Sequence, residues 1–293
     1  MNYNFLKNTY KQIEWISVID SWKKWKNIWI FALTHWNEPV WLEVINYLIN
    51  EFDIKKNILI WKIYFICVNL KAYKKYISQD DFLNYRFVNH NMNRIYKKDF
   101  VRGSYEFERL EELKIIFDEI DVVLDLHSVA AWNNIIWITN KKQVNIAKDI
   151  FDVENILVDD IASSWAMIGY FIDNCKMAFG IECWNHIWKT AYKNWIRNVL
   201  NFLSYFGVID YKIQKEIKLN WVFGFLNEIF PKSFDFKHTK KFINFDKIWI
   251  NEVYARDKDY EYKNTFDKEI FIALVWKKVK PGEGNWFLFE KII

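Results

Sequence analysis

The sequence predicts an α/β protein, a mixed sheet flanked by helices with a small β-rich C-terminal domain. Three observations carry this reading. Short apolar runs alternate with segments whose apolar positions recur at helical spacing. That alternation stops near residue 212, after which short strand-like runs follow one another between polar turns. With 52% hydrophobic and 27% charged residues, the 293-residue chain also has enough apolar material for a sizeable core.

The first strand is expected at 28–33 (IWIFAL) and the second at 61–68 (WKIYFICV). Further strands are expected at 121–126 (DVVLDL), 135–139 (IIWIT) and 177–183 (MAFGIEC). Leu42, Ile45, Leu48, Ile49 and Phe52 predict a helix over 42–52, and Phe107, Leu110, Leu113, Ile116 and Ile120 one over 105–120. Ile196, Val199, Leu200 and Leu203 predict a third over 192–206. Strands alternating with helices argue a layered architecture around one sheet. The chain divides into a first domain, 1–212, and a β-rich domain, 213–293, with strand-like runs at 242–250, 252–255, 269–276 and 286–289 and a turn signal, KPGEG, at 280–284.

Composition excludes several classes. No stretch reaches the roughly 18 apolar residues of a membrane helix, and the start, MNYNFLKNTYKQ, predicts no secretory leader. A net charge of +4, spread along the chain, gives no basic stripe for nucleic acid. Cys67, Cys175 and Cys183 fit neither an even disulfide framework nor a Cys-x-x-Cys knuckle, so a reduced, cytoplasmic protein is expected.

One count is anomalous: seven Gly and seventeen Trp. Many Trp sit where a turn calls for Gly, as in SWKKWKN (21–27), HWN (35–37), AWNN (131–134) and GNW (284–286). The two types together come to an ordinary glycine content. A gene that reads UGA as Gly, translated with UGA as Trp, produces this pattern.

Four clusters can do chemistry. In THWNEP, 34–39, His35 and Glu38 follow a strand at its carboxyl end, where α/β proteins place ligand sites. Alone, the pair is more often a surface His and a solvated Glu. DLHS, 125–128, puts His127 at the same edge, and two His with one Glu make the ligand set of a catalytic zinc site. Asp125 is read as pointing to the opposite face if the strand alternates strictly, with a role in holding a ligating His as the weaker alternative. RFVNHNMNRIY, 86–96, holds two of the six Arg in the chain, and Arg offers the planar fork a carboxylate needs. An ordinary surface loop with a structural or exposed His90 is the plainer reading. In GIECWNH, 180–186, Glu182 ends an apolar strand, where a carboxylate is either costly or faces a cleft. Cys183 is read as a packed thiol on the other face, and His186 as no ligand.

Taken in order, H-x-N-E at 35–38, R-x6-N-R at 86–94, DLH at 125–127 and E-C-x-x-H at 182–186 resemble the succinylglutamate desuccinylase/aspartoacylase family of the zinc carboxypeptidase superfamily. The likeness covers about 28 to 206, with a looser match in the tail. It implies a zinc carboxypeptidase-like fold and one Zn²⁺ per chain on His35, Glu38 and His127. It implies Glu182 as general base, Arg86 as the group that stabilises the oxyanion, and Asn93 and Arg94 as holders of the substrate carboxylate. Asn69 in VNLKA resembles the family's N-P-x-A turn, with Leu70 in place of Pro. The implied activity is a zinc-dependent amidohydrolase that deacylates a small N-acyl amino acid, with no nucleic-acid or membrane partner.

The departures are informative. Trp36 and Trp184, and also Trp41 and Trp61, stand where the family favours Gly, and these belong to the set that composition singles out. With Gly restored, 16–33 reads as a strand, a glycine turn and a strand instead of an amphipathic helix. If the Trp are genuine, two indoles flank the metal and the base, and a decayed metal-binding protein becomes the alternative. A metallocarboxypeptidase acting on peptides or cell-wall peptides is another, since it would use the same zinc and Arg. Tyr170 precedes Glu182 without a nearby Arg, and Lys176 is a poor stand-in, so N-acetylaspartate is not the expected substrate.

Overall fold

The computed structural model of the chain describes residues 4–23, 26–38, 40–76, 87–96, 102–129, 135–159, 166–174, 176–185, 189–273 and 286–292. A short hairpin, β1 (Thr9–Tyr10) and β2 (Ile13–Glu14), precedes β3 (Ile16–Asp20), β4 (Asn27–Ala32), β5 (Lys62–Cys67), β6 (Val122–Val129) and β7 (Ile135–Thr139). Next come β8 (Asn155–Val158), β9 (Met177–Asn185) and β10 (Trp221–Ile229). The remainder are β11 (Lys237–His238), β12 (Asp246–Ile248), β13 (Val253–Asp257), β14 (Tyr260–Lys263), β15 (Ile270–Ala273) and β16 (Trp286–Lys291). The α-helices are α1 (Val40–Asn46), α2 (Ile54–Asn57), α3 (Leu70–Tyr76), α4 (Tyr105–Lys114), α5 (Val144–Ile150), α6 (Met167–Asp173) and α7 (Lys189–Tyr205). Among the described residues no helix is long and apolar enough to cross a membrane.

An eleven-stranded mixed sheet runs in the order β12-β15-β16-β10-β8-β7-β9-β6-β4-β5-β3. Its centre is parallel, with β5, β4, β6 and β9 side by side, and β3 and β7 run against them. Alternation along β4 sends Ile28, Ile30 and Ala32 into one core and Trp29 and Phe31 into the other. β5 does the same with Ile63, Phe65 and Cys67 against Tyr64 and Ile66. Strands buried on both faces read as unbroken apolar runs, which is why these stood out in the sequence. Helices α1, α5 and α7 cover the first face, and α4 and α6 the second. Helix α6 comes close because Gly180 lacks a Cβ, which would collide with Ile168.

The helix expected over 42–52 divides into α1 and a π-helical turn, Tyr47–Glu51, ending where Asp53 turns left-handed (φ 51°). The one expected over 105–120 starts on the Ser104 cap but stops at Lys114, before the β-branched pair Ile115–Ile116, and resumes as a 3-10 turn, Phe117–Glu119. Within 16–33 lie two strands, Ile16–Asp20 and Asn27–Ala32, and not one amphipathic helix.

Among the described residues, three tryptophans occupy the left-handed region: Trp15 (φ 65°), Trp22 (φ 61°) and Trp61 (φ 91°). That conformation costs a residue with a Cβ about 1–2 kcal/mol, and glycine nothing. The indole N–H groups of Trp29, Trp41, Trp61 and Trp137 are buried with no acceptor among the described residues. The Trp137 and Phe151 ring centroids lie 3.0 Å apart, inside the ~3.5 Å at which carbon atoms pack comfortably.

Past residue 212 the sheet continues. β10 pairs in parallel with β8, and β16, β15 and β12 extend it, while β11, β13 and β14 form a separate three-stranded sheet. Buried Asp152 fastens the connecting segment, pairing with Arg197 at 2.7 Å and accepting the N–H groups of Glu216 and Ile217 at 2.8 and 2.6 Å. A core of its own gathers Ile229, Phe236, Ile248, Ile270 and Leu288.

His238 lies against Phe236 and Phe242 in this region. Burial pushes its pKa down to about 3, and a backbone contact with Tyr254 offsets only part of this. The unfolded chain takes up this proton near pH ~6.5, so it binds more protons than the native state between that value and pH ~3. Stability therefore rises with pH across this window and is lost as pH falls through it. We expect about 1 kcal/mol less stability at pH 5 than at pH 7 from this group, roughly half the full linkage value because the ring is partly exposed. Urea unfolding of the parent chain and His238→Phe at both pH values measures it; equal pH dependence in the two chains would rule the attribution out.

Candidate active site

The loop after β4 opens with Leu33 in the left-handed region (φ 55°). Glu38 N–H then donates to the His35 carbonyl at 3.2 Å, a tight turn that faces both side chains the same way. β6 lies parallel beside β4 and delivers His127 to the same edge. His35, Glu38 and His127 are all buried, and their ligand atoms lie within 4.8 Å of one another.

Both imidazoles turn Nδ1 toward Glu38. His35 Nδ1 is 2.9 Å from Oε1 and His127 Nδ1 is 3.2 Å from Oε2. The far nitrogens are held from behind. His127 Nε2 is 2.7 Å from Asp125 Oδ2, and His35 Nε2 is 2.9 Å from Asn91 Oδ1, which also accepts Asn93 N–H at 3.0 Å. Since those oxygens only accept, each ring carries its outer proton on Nε2. Nδ1 is the atom left to face a cation, the arrangement metal-binding histidines use. Burial works against charge on Glu38, but His35 and His127 outweigh it and hold the carboxyl well below its usual range. Burial likewise opposes charge on His127, yet Asp125 and Glu38 raise its pKa well above the ordinary value, so a cation binding at Nδ1 displaces a proton. Two imidazole nitrogens and an ionised carboxylate converging on one point fit a divalent cation.

Asp125 corrects an expectation. Residues two apart on a strand share a face, so Asp125 and His127 point the same way. Asp125 is fully buried, binds His127, and accepts from Thr34 Oγ1 at 3.2 Å. The D-x-H spacing held that signal.

Glu182 is half-buried and stands in register with His127 on the adjacent parallel strand, so the two share a sheet face. Asn93 reaches the site: its Nδ2 is 3.5 Å from His127 Nε2, and its Oδ1 accepts from Met167 N–H at 2.9 Å. Arg94 sits beside it in the 3-10 turn Met92–Arg94, with Nη1 on the Asn93 carbonyl at 2.8 Å. His90 is exposed and binds through its backbone N–H. Arg86 and His186 lie outside the described residues, as do the side chains of Cys183 and Trp184. Trp36 is buried in the core on the α1 and α7 side of the sheet. Tyr170 packs among Tyr96, Phe117 and Phe171, and Lys176 Nζ approaches the Asp118 carbonyl at 3.4 Å. Asn91, absent from the sequence reading, lies between two residues it did name.

Fold and site together define an α/β protein whose parallel strands deliver a His–Glu–His ligand set to one sheet edge, the donor set of hydrolytic metal centres. Residues 24–146 match the family model described as the succinylglutamate desuccinylase/aspartoacylase catalytic domain. Over that stretch the chain is similar to the catalytic domain of this family. Solved structures agree in fold. The succinylglutamate desuccinylase of Vibrio cholerae matches at 17% identity and a TM-score of 0.72, over 91% of this chain and 81% of that one. That of Vibrio parahaemolyticus matches at 16% and 0.70, over 92% and 82%. The product-bound ectoine utilization protein EutE (DoeB) of Ruegeria pomeroyi matches at 12% and 0.67, over 98% and 93%. No curated protein sequence matches the chain.

Proposed function

We propose that the chain is a zinc-dependent amidohydrolase that removes the acyl group from a small N-acyl amino acid in a reducing, cytoplasmic setting. The observation that carries this is the convergence of His35, Glu38 and His127 beside Glu182 at one strand edge. Zinc on those three residues supplies the Lewis acidity that polarises the scissile carbonyl and acidifies water. Glu182 takes the proton from the attacking water and passes it to the nitrogen of the leaving amine, so the C–N bond breaks to a carboxylate and a free amino group. Arg86 holds the negative charge that develops on the carbonyl oxygen. Asn93 and Arg94 grip the carboxylate of the amino acid, Arg94 through its planar fork. Asp125 and Asn91 keep the two imidazoles turned toward the metal.

The test is release of free amino acid from a panel of N-acyl amino acids, with short peptides alongside, before and after chelation. Chelator-sensitive deacylation is the expected result. Cleavage of peptides alone would favour a carboxypeptidase, and bound zinc with no turnover would favour a decayed site. Asp125→Asn is expected to weaken zinc binding by about 10–100-fold with the fold retained, read by competition with a chromogenic chelator.

We also propose that glycine stands at the strained and overpacked Trp positions of the natural protein, through a gene that reads UGA as Gly. The left-handed Trp15, Trp22 and Trp61 support this. Peptide mass spectrometry of the protein from its own source tests it directly; Trp at these positions would end the idea.

A further inference from the structure

Glu106, in the first turn of α4, is completely buried, an expensive place for a carboxylate. It is met by four donors. Oε1 accepts Val88 N–H at 2.6 Å and Asn69 Nδ2 at 3.3 Å. Oε2 accepts Asn89 N–H at 3.0 Å and His90 N–H at 3.1 Å. Three successive backbone amides thus wrap one side chain, and a carboxylate offers about four acceptor directions in all. Asn89 returns the contact, its Oδ1 accepting the Tyr105 N–H at 3.1 Å.

The wrapped segment leads directly into Asn91, which holds His35, and Asn93, which approaches His127. The fourth donor, Asn69, ties the clasp to the other side of the site, because its own N–H binds the Leu33 carbonyl at 3.0 Å, two residues before His35. One carboxylate therefore connects the loop after β4 with the loop that carries Asn93 and Arg94.

We propose that Glu106 is a positioning residue: by clasping the backbone of residues 88–90 it fixes Asn93 and Arg94 where they receive substrate and Asn91 behind His35. The role in substrate binding rests on the deacylase reading, whereas the clasp itself does not. The test is Glu106→Gln, whose shape is conserved but whose amide NH₂ would face a backbone donor whichever way it turns. Zinc-loaded parent and variant are compared by steady-state kinetics on the acyl amino acid panel and by hydrogen exchange over 87–95. The expected result is a KM raised about tenfold or more with kcat within about threefold, the sign of lost uniform binding. With zinc in excess, bound zinc and the protection of β6 should stay unchanged while amides 88–90 exchange at least about tenfold faster. Unchanged protection of 88–90 would overturn the clasp whatever the activity. Loss of protection throughout the chain, or equal losses in kcat and kcat/KM with KM unmoved, would overturn the positioning role. If the parent chain turns over nothing, the deacylase reading fails while the exchange comparison still decides the clasp.

Discussion

Glu182→Gln is expected to lower kcat by about 10²–10⁴-fold, the contribution of a positioned general base, with zinc content and thermal unfolding as in the parent chain. Glu182 is half-buried at the carboxyl end of β9, in register with His127 and on the same face. Gln keeps the size and a carbonyl oxygen but cannot take a proton, so the chemical step suffers and substrate binding does not. Kinetics with metal analysis on the same samples decides it. A loss below about tenfold would remove Glu182 from the base role.

The tryptophans carry the second large effect. In an ordinary core, removing a buried Trp side chain costs about 3–5 kcal/mol. At Trp61 two terms stand against that cost: about 1–2 kcal/mol of left-handed backbone strain and about 1–3 kcal/mol for an indole N–H buried with no acceptor among the described residues. Trp61→Gly is therefore expected to change stability by less than about 1 kcal/mol. Trp22 is 89% exposed in the same conformation, so its glycine variant opens no cavity and should gain about 1 kcal/mol. Chemical denaturation of the two single variants suffices. A loss of the full core value at Trp61, together with a loss at Trp22, would mean that both tryptophans belong where they are.

Much of the sheet was legible because its central strands are buried on both faces. The run at 135–139 coincides with β7, and those at 28–33 and 61–68 differ from β4 and β5 by one residue at each end. The His35–Glu38 spacing was legible because a tight turn fixes local geometry, whereas Asp125 was set on the wrong face although residues two apart on a strand share one. What escaped depends on distant partners. Glu106 belongs to an unremarkable charged helix start, and nothing nearby in the chain announces that residues 88–90 will fold around it. Asn91 is one Asn among several until His35 arrives beside it. Strand β10 was missed because its neighbour β8 lies far back in the sequence, and pairing of that kind leaves no periodic trace.

That last pairing bears on how the chain acquires its shape. β8 has β7 on one side and waits for β10 on the other, and β10 in turn waits for β16. While the chain is being made, the apolar strands of the first half can assemble around β4, β5 and β6, yet the growing sheet keeps an open edge along β8. An open edge is a template for pairing with another copy. The segment after residue 212 thus acts as a seal on a nascent sheet, and the interval before it arrives is when the protein is most exposed to misassembly.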